Sequence, residues 1–143
     1  MPMIVKSRLR LYLNTDVILS LLVDEPGKGE AVARLLYQAA EGKYQLLVSE
    51  HTAYELLRLG VPMEYINRAL RPLLLLNGSD FLVANSDIMR AAGRTMRQYE
   101  MPFMRALHVV FAQRNNSLVL TRDLDFMNEA RSLVGVMSPE ELL

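Results

Sequence analysis

At 143 residues and 51% hydrophobic side chains, the chain suits one compact domain, residues 1–143, with a substantial core, which argues against disorder. Sixteen basic and sixteen acidic residues cancel, so net charge gives no nucleic-acid signal, and the absence of cysteine excludes disulfides and thiolate metal sites. No apolar run approaches a membrane span, and Met1 to Arg10 lacks a signal-peptide pattern, so a cytoplasmic location without membrane contact is expected.

Leu9 to Leu13 reads as a central strand that ends at Asn14-Thr15-Asp16. Val17 to Leu22 begins a helix, and Asp16 suits its start because a carboxylate complements exposed amides there. Pro26-Gly27-Lys28-Gly29 marks a turn; it lacks the Gly-Lys-Ser/Thr ending of a phosphate loop. Val32, Leu35, Leu36 and Ala39 then recur at helical spacing. Leu46 to Val48 is a short strand, and Ser49 opens a helix through Leu59, with Gly60 as its stop. Pro62 to Leu74 reads as a further helix and Phe81 to Val83 as a third strand.

Ser86 is expected to cap a helix with Ile88, Ala92, Met96 and Tyr99 on one face. Pro102 fits the first turn of the next helix, whose apolar stripe is Phe103, Ala106, Leu107 and Val110. Leu118 to Leu120 is a strand, a short helix follows Asp125, and Leu133 to Val136 is the last strand. Ser138-Pro139-Glu140-Glu141 has a capping-box pattern. Strands alternating with helices predict a three-layer α/β/α fold around a central, mostly parallel sheet. Ligands of such sheets gather beyond the carboxyl ends of the strands, where Asn14-Thr15-Asp16 and Thr121 to Asp125 both fall.

Four segments in order resemble a VapC-like PIN domain: Leu11 to Ile18, Ser49 to Leu56, Met101 to Ala112 and Leu118 to Phe126. The ending Val136 to Leu142 also matches a common form of that family. The resemblance implies an acidic cluster that holds Mg²⁺ or Mn²⁺ and activates water to cut RNA. Hard divalent cations want oxygen ligands, and a bound ion can stabilise phosphate charge and lower the pKa of its water.

Carried onto this chain, the first acid position is Asn14, an amide, and the usual Asp-Thr-Asn order stands as Asn-Thr-Asp, with Asp16 restoring a charge nearby. Glu55 matches the second acid, Arg105 replaces the third, and Asp123 matches the fourth, with Asp125 as an accessory. The candidate catalytic set is therefore Asp16, Glu55, Asp123, Asp125 and Arg105. The candidate metal ligands are Asp16, Glu55 and Asp123, with Asn14 as a further oxygen donor. A guanidinium roughly 4 Å from a divalent ion meets about 8 kcal/mol of repulsion at an effective dielectric of 20. An ion at such a site is thus weakened or absent. Arg105 also falls near a helix start, where a cation is disfavoured, so a carboxylate partner among Glu55, Asp123 and Asp125 is expected.

Each of these residues has a plainer role: Asp123 and Asp125 as helix caps, Glu55 as a solvated charge, Asp16 as a helix-start charge and Arg105 as a surface cation. His51 and Glu55, four apart, share a helix face, but one His and one Glu are too few ligands for a metal. His108 reads as a packing or hydrogen-bonding residue, and Arg90, Arg94 and Arg97 form a helical stripe, either solvated or facing RNA phosphates. The function expected is a catalytically impaired PIN protein that acts by binding RNA or a protein. The alternative is an active single-stranded RNA endonuclease toxin with a rearranged site. The resemblance also implies a VapB-like antitoxin partner and a homodimer.

Overall fold

The computed structural model describes residues 8–23, 26–76 and 78–143. Five strands form one sheet: β1 (Leu9–Leu13), β2 (Tyr44–Ser49), β3 (Asp80–Leu82), β4 (Leu118–Leu120) and β5 (Val136–Met137). Their order across the sheet is β3-β2-β1-β4-β5, and every pairing is parallel. The helices are α1 (Thr15–Val23), α2 (Lys28–Ala40), α3 (Glu50–Arg58), α4 (Met63–Leu74), α5 (Ser86–Tyr99), α6 (Phe103–Arg114), α7 (Leu124–Ala130) and α8 (Pro139–Leu142). The expected α/β/α architecture is what the chain adopts.

The side-chain alternation of β1 builds two cores. Leu11 and Leu13 point to one face, where they join Val17, Leu35, Leu56, Ile66 and Leu70 from α1 to α4. Tyr12 points to the other, against Ala92, Val110, Phe111 and Phe126 from α5 to α7. A sheet covered on both faces explains why its central strands read as nearly continuous apolar runs. Fully burying a Leu- or Phe-sized side chain contributes roughly 1.5–3 kcal/mol, so these two layers dominate the stability.

Helix starts follow the sequence closely. Ser49 Oγ accepts from Thr52 N at 3.3 Å, and Gly60, with φ of 91°, ends the run after α3. Ser138 and Glu141 make the full capping box. Gly27 holds a left-handed turn before α2, which already includes Lys28 and Gly29.

Several boundaries differ from expectation. Asn85 rather than Ser86 caps α5, its Oδ1 accepting from Ile88 N at 2.9 Å. Helix α7 starts at Leu124 because Asp123 is its cap, which puts Asp125 inside the first turn. The last strand is Val136–Met137, since Leu133 and Val134 turn back on the Ala130 carbonyl. On α5, Ile88 and Ala92 are buried but Tyr99 is 45% exposed, so the apolar face is shorter than its spacing suggests. No helix among the described residues is long and apolar enough to cross a membrane.

Candidate functional site

The chain runs from β1 outward to β3 on one side, then returns to place β4 and β5 on the other. Loops therefore diverge between β1 and β4, the usual place for a ligand crevice in an open parallel sheet. A cleft of about 390 Å³ opens there, lined by Asn14, Thr15, Asp16, Glu55, Arg105, His108 and Asp123 among others. Residues far apart in sequence thus share one cavity. Asp125 is exposed and does not line it. A larger groove of about 670 Å³ lies over α4 and is mainly apolar, with Met63, Ile66, Leu70, Leu74 and Leu75 in its walls. The candidate residues from the sequence, Asp125 apart, line the smaller cavity.

Thr121 is the hub on the β4 side. Its buried hydroxyl donates to Asp16 Oδ1 at 2.9 Å and accepts from Asp123 N at 3.0 Å and Asn14 Nδ2 at 3.2 Å. Asp16 Oδ2 accepts from Arg122 N at 2.7 Å. Both Asp16 oxygens are therefore used in joining the start of α1 to the end of β4. Burial pushes the Asp16 carboxyl above its usual range, and the Arg122 amide and Thr121 hydroxyl offset only part of that. Asn14 is buried, and its Oδ1 has no hydrogen-bond partner among the described residues. Asp123 Oδ1 accepts from Phe126 N at 3.2 Å, a helix-capping contact.

Glu55 reaches the cleft from α3. Its Oε1 accepts from Thr15 Oγ1 at 2.7 Å and pairs with His108 Nε2. Burial pushes Glu55 up, but His108, Thr15 and His51 together outweigh it and hold the carboxyl below its ordinary value. His108 is 3% exposed, and its Nδ1 meets the Tyr12 hydroxyl at 2.6 Å; that hydroxyl also meets Ser49 Oγ at 2.7 Å. Burial, followed by the nearby His108, keeps His51 below the usual histidine range.

Arg105 lines the cleft but does not pair with Glu55, Asp123 or Asp125. Its Nη1 donates to Glu129 Oε1 at 2.5 Å. Its place in the first turn of α6 does carry the expected need for a carboxylate, and α7 answers it from one turn beyond the acids considered.

Sequence reasoning also missed the meeting of His51 with Glu55 and His108, whose donor atoms all lie within 4.8 Å of one another. The spacing of His51 and Glu55 was the available signal; the third member arrives from α6 through packing alone. Arg90, Arg94 and Arg97 are exposed, and Asp87 pairs with Arg114 of α6 at 3.4 Å rather than with that stripe.

A family model described as PIN domain matches residues 11–131. The chain belongs to the PIN-domain family. Solved structures agree on the fold. VapBC2 from Rickettsia felis, bound to a DNA fragment from its promoter, is similar with a TM-score of 0.69 at 14% identity, covering 91% of this PIN chain and 98% of the other. VapBC-1 from nontypeable Haemophilus influenzae gives 0.63 at 17%, with 92% and 99% covered. FitAcB from Neisseria gonorrhoeae gives 0.61 at 21%, with 91% and 98% covered. No curated protein matches the chain significantly. At two positions that the resemblance assigns to acids the PIN chain has an amide, Asn14, and a guanidinium, Arg105, and both line the cleft.

Proposed function

We propose that residues 1–143 act as one VapC-type PIN domain whose Mg²⁺- or Mn²⁺-dependent RNA cleavage is impaired, and which works by binding a VapB-like protein partner. The observation that carries this reading is the state of Asp16. It is the acid available to replace the charge lost at Asn14, and both its oxygens already hold Thr121 and the Arg122 amide. Glu55 and Asp123 each have one oxygen engaged by protein donors, and Arg105 brings a positive group into the same cleft. A pair of hard ions needs several free carboxylate oxygens, and this donor set does not fit one.

The apolar groove over α4 supports a protein partner. Leu75 is 80% exposed there and Met63 51% exposed, and an exposed apolar groove of this kind suits an amphipathic segment. The similar structures include toxin–antitoxin complexes, among them one from Klebsiella pneumoniae.

The test is incubation of the protein and its Glu55→Gln variant with single-stranded RNA and Mn²⁺. No difference in cleavage is expected. Cleavage by the parent that vanishes in the variant overturns the reading and favours an active endoribonuclease in which Arg105 contacts the scissile phosphate. One observation supports that second reading: Asp16, Glu55, Asp123 and Arg105 do line one cavity.

A further inference from the structure

Beside the cleft lies a donor set of different chemistry. His51 and Glu55 are one turn apart on α3, and His108 reaches them from α6. His51 Nε2 lies 3.6 Å from Glu55 Oε1, and His108 Nε2 contacts that same oxygen. His51 is 6% exposed, yet its Nε2 has no hydrogen-bond partner among the described residues. Leaving a buried polar atom unpaired is unfavourable, so a hydrogen-bonded Glu–His pair does not by itself account for the second imidazole.

The Met104 backbone stands beside the His51 ring, and the His108 ring is held by its other nitrogen. His108 Nδ1 is fixed by the Tyr12 hydroxyl, itself fixed by Ser49. Histidines that bind metals are typically oriented this way, with one nitrogen anchored in the protein and the other presented to the ion.

The geometry points to a binding site for one transition-metal dication of the zinc class, held by His51 Nε2, Glu55 Oε1 and His108 Nε2. This inference goes beyond the impaired hard-ion site and does not depend on it. Two imidazoles and one carboxylate suit zinc and its neighbours, whereas magnesium prefers oxygen alone. Bonds of about 2.0–2.1 Å in a tetrahedron put ligand atoms roughly 3.3 Å apart, close to the His51–Glu55 separation. The shorter Glu55–His108 contact would open as the ion takes the place between them. Thr15 Oγ1, 2.7 Å from Glu55 Oε1 and 3.4 Å from His108 Nε2, stands at the edge of the cluster. Glu55 and His108 also line the cleft, so the fourth coordination position has a route to solvent and to a phosphate or water ligand.

The experiment is titration of tag-free, metal-stripped full chain with Co²⁺, read by visible d–d absorption, followed by displacement with Zn²⁺ or Mg²⁺. Saturation at one Co²⁺ per chain is expected, with displacement by Zn²⁺ but not by millimolar Mg²⁺. His51→Gln and Glu55→Gln each remove a ligand and should weaken binding by at least the roughly 10–100-fold that loss of an outer-shell partner costs. X-ray absorption of the zinc-loaded parent supplies a readout that needs no variant. It should show imidazole scattering from two histidines, and the lack of cysteine leaves no sulfur shell to confuse it. Absent d–d bands, displacement by Mg²⁺, a zinc shell without imidazole, or parental affinity in a folded His51→Gln protein would each overturn the site. None of these outcomes bears on the RNA assay, so the two readings fail separately.

Discussion

Arg105 and Glu129 meet at 2.5 Å and tie the first turn of α6 to the last turn of α7. The guanidinium in the cleft is thus anchored by an acid outside the cleft's own set. Arg105→Asp would set two like charges against each other. Both partners are about a third exposed, so solvent screening limits the loss of stability to about 1 kcal/mol. The same change makes the cleft more acidic, and Mn²⁺ affinity measured by calorimetry should rise. Equal affinity in both proteins would rule out Arg105 as the obstacle to ion binding. Adding Glu129→Gln should restore much of the stability.

Asp16 is predicted to be a structural acid. Asp16→Ala strands the Arg122 amide and the Thr121 hydroxyl and should cost about 1–3 kcal/mol in urea unfolding. Asp16→Asn should cost less, because it keeps a carbonyl acceptor and removes a charge that burial disfavours. An alanine variant that unfolds at the parental midpoint would show that these bonds do not hold the loop.

Tyr12→Phe removes a hydroxyl shared by Ser49 and His108 in the fully buried layer under α6. The ring still fills its space against Phe111, so the expected loss of about 1–3 kcal/mol reports the stranded polar atoms. Thermal unfolding beside a Phe126→Ala control, where about 3–5 kcal/mol of packing is at stake, separates the two effects.

Glu140 gives a pH signature. The hydrogen bonds from Arg122, at 2.6 and 2.8 Å, together with nearby Lys28, hold its carboxyl below the ordinary range. A depressed acid stabilises the fold above its unfolded pKa, and that contribution is lost as pH falls through the lowered value. Amides of α8 should therefore exchange faster in acid, relative to intrinsic rates, and Glu140→Gln should show the faster exchange already at neutral pH. Protection in α8 that is unchanged by the substitution would dismiss the ion pair as its clamp.

Much of the layout was legible because local chemistry controls it. Ser49, Gly60, Pro102 and Ser138 mark helix ends through capping and backbone geometry, which act within a few residues. The meeting of Asn14 and Asp123 followed from strands that end at one side of a parallel sheet, whereas Glu55 and Arg105, both on helices, were placed there by the family resemblance. What was not legible depends on how side chains turn once helices pack. Glu129 reaches Arg105 across α7, and His108 reaches His51 across α3, and neither pair has a periodicity linking it. Asp16 was visible as a charge at a helix start, but its rotation toward Thr121 was not.

The strand order has an evolutionary consequence. Because the crevice beyond the ends of β1 and β4 is made by the path of the chain, exchanging the residues inside it should leave it in place. A lineage can therefore abandon one chemistry without closing the room in which that chemistry took place, leaving ready-made space for natural selection to refurnish.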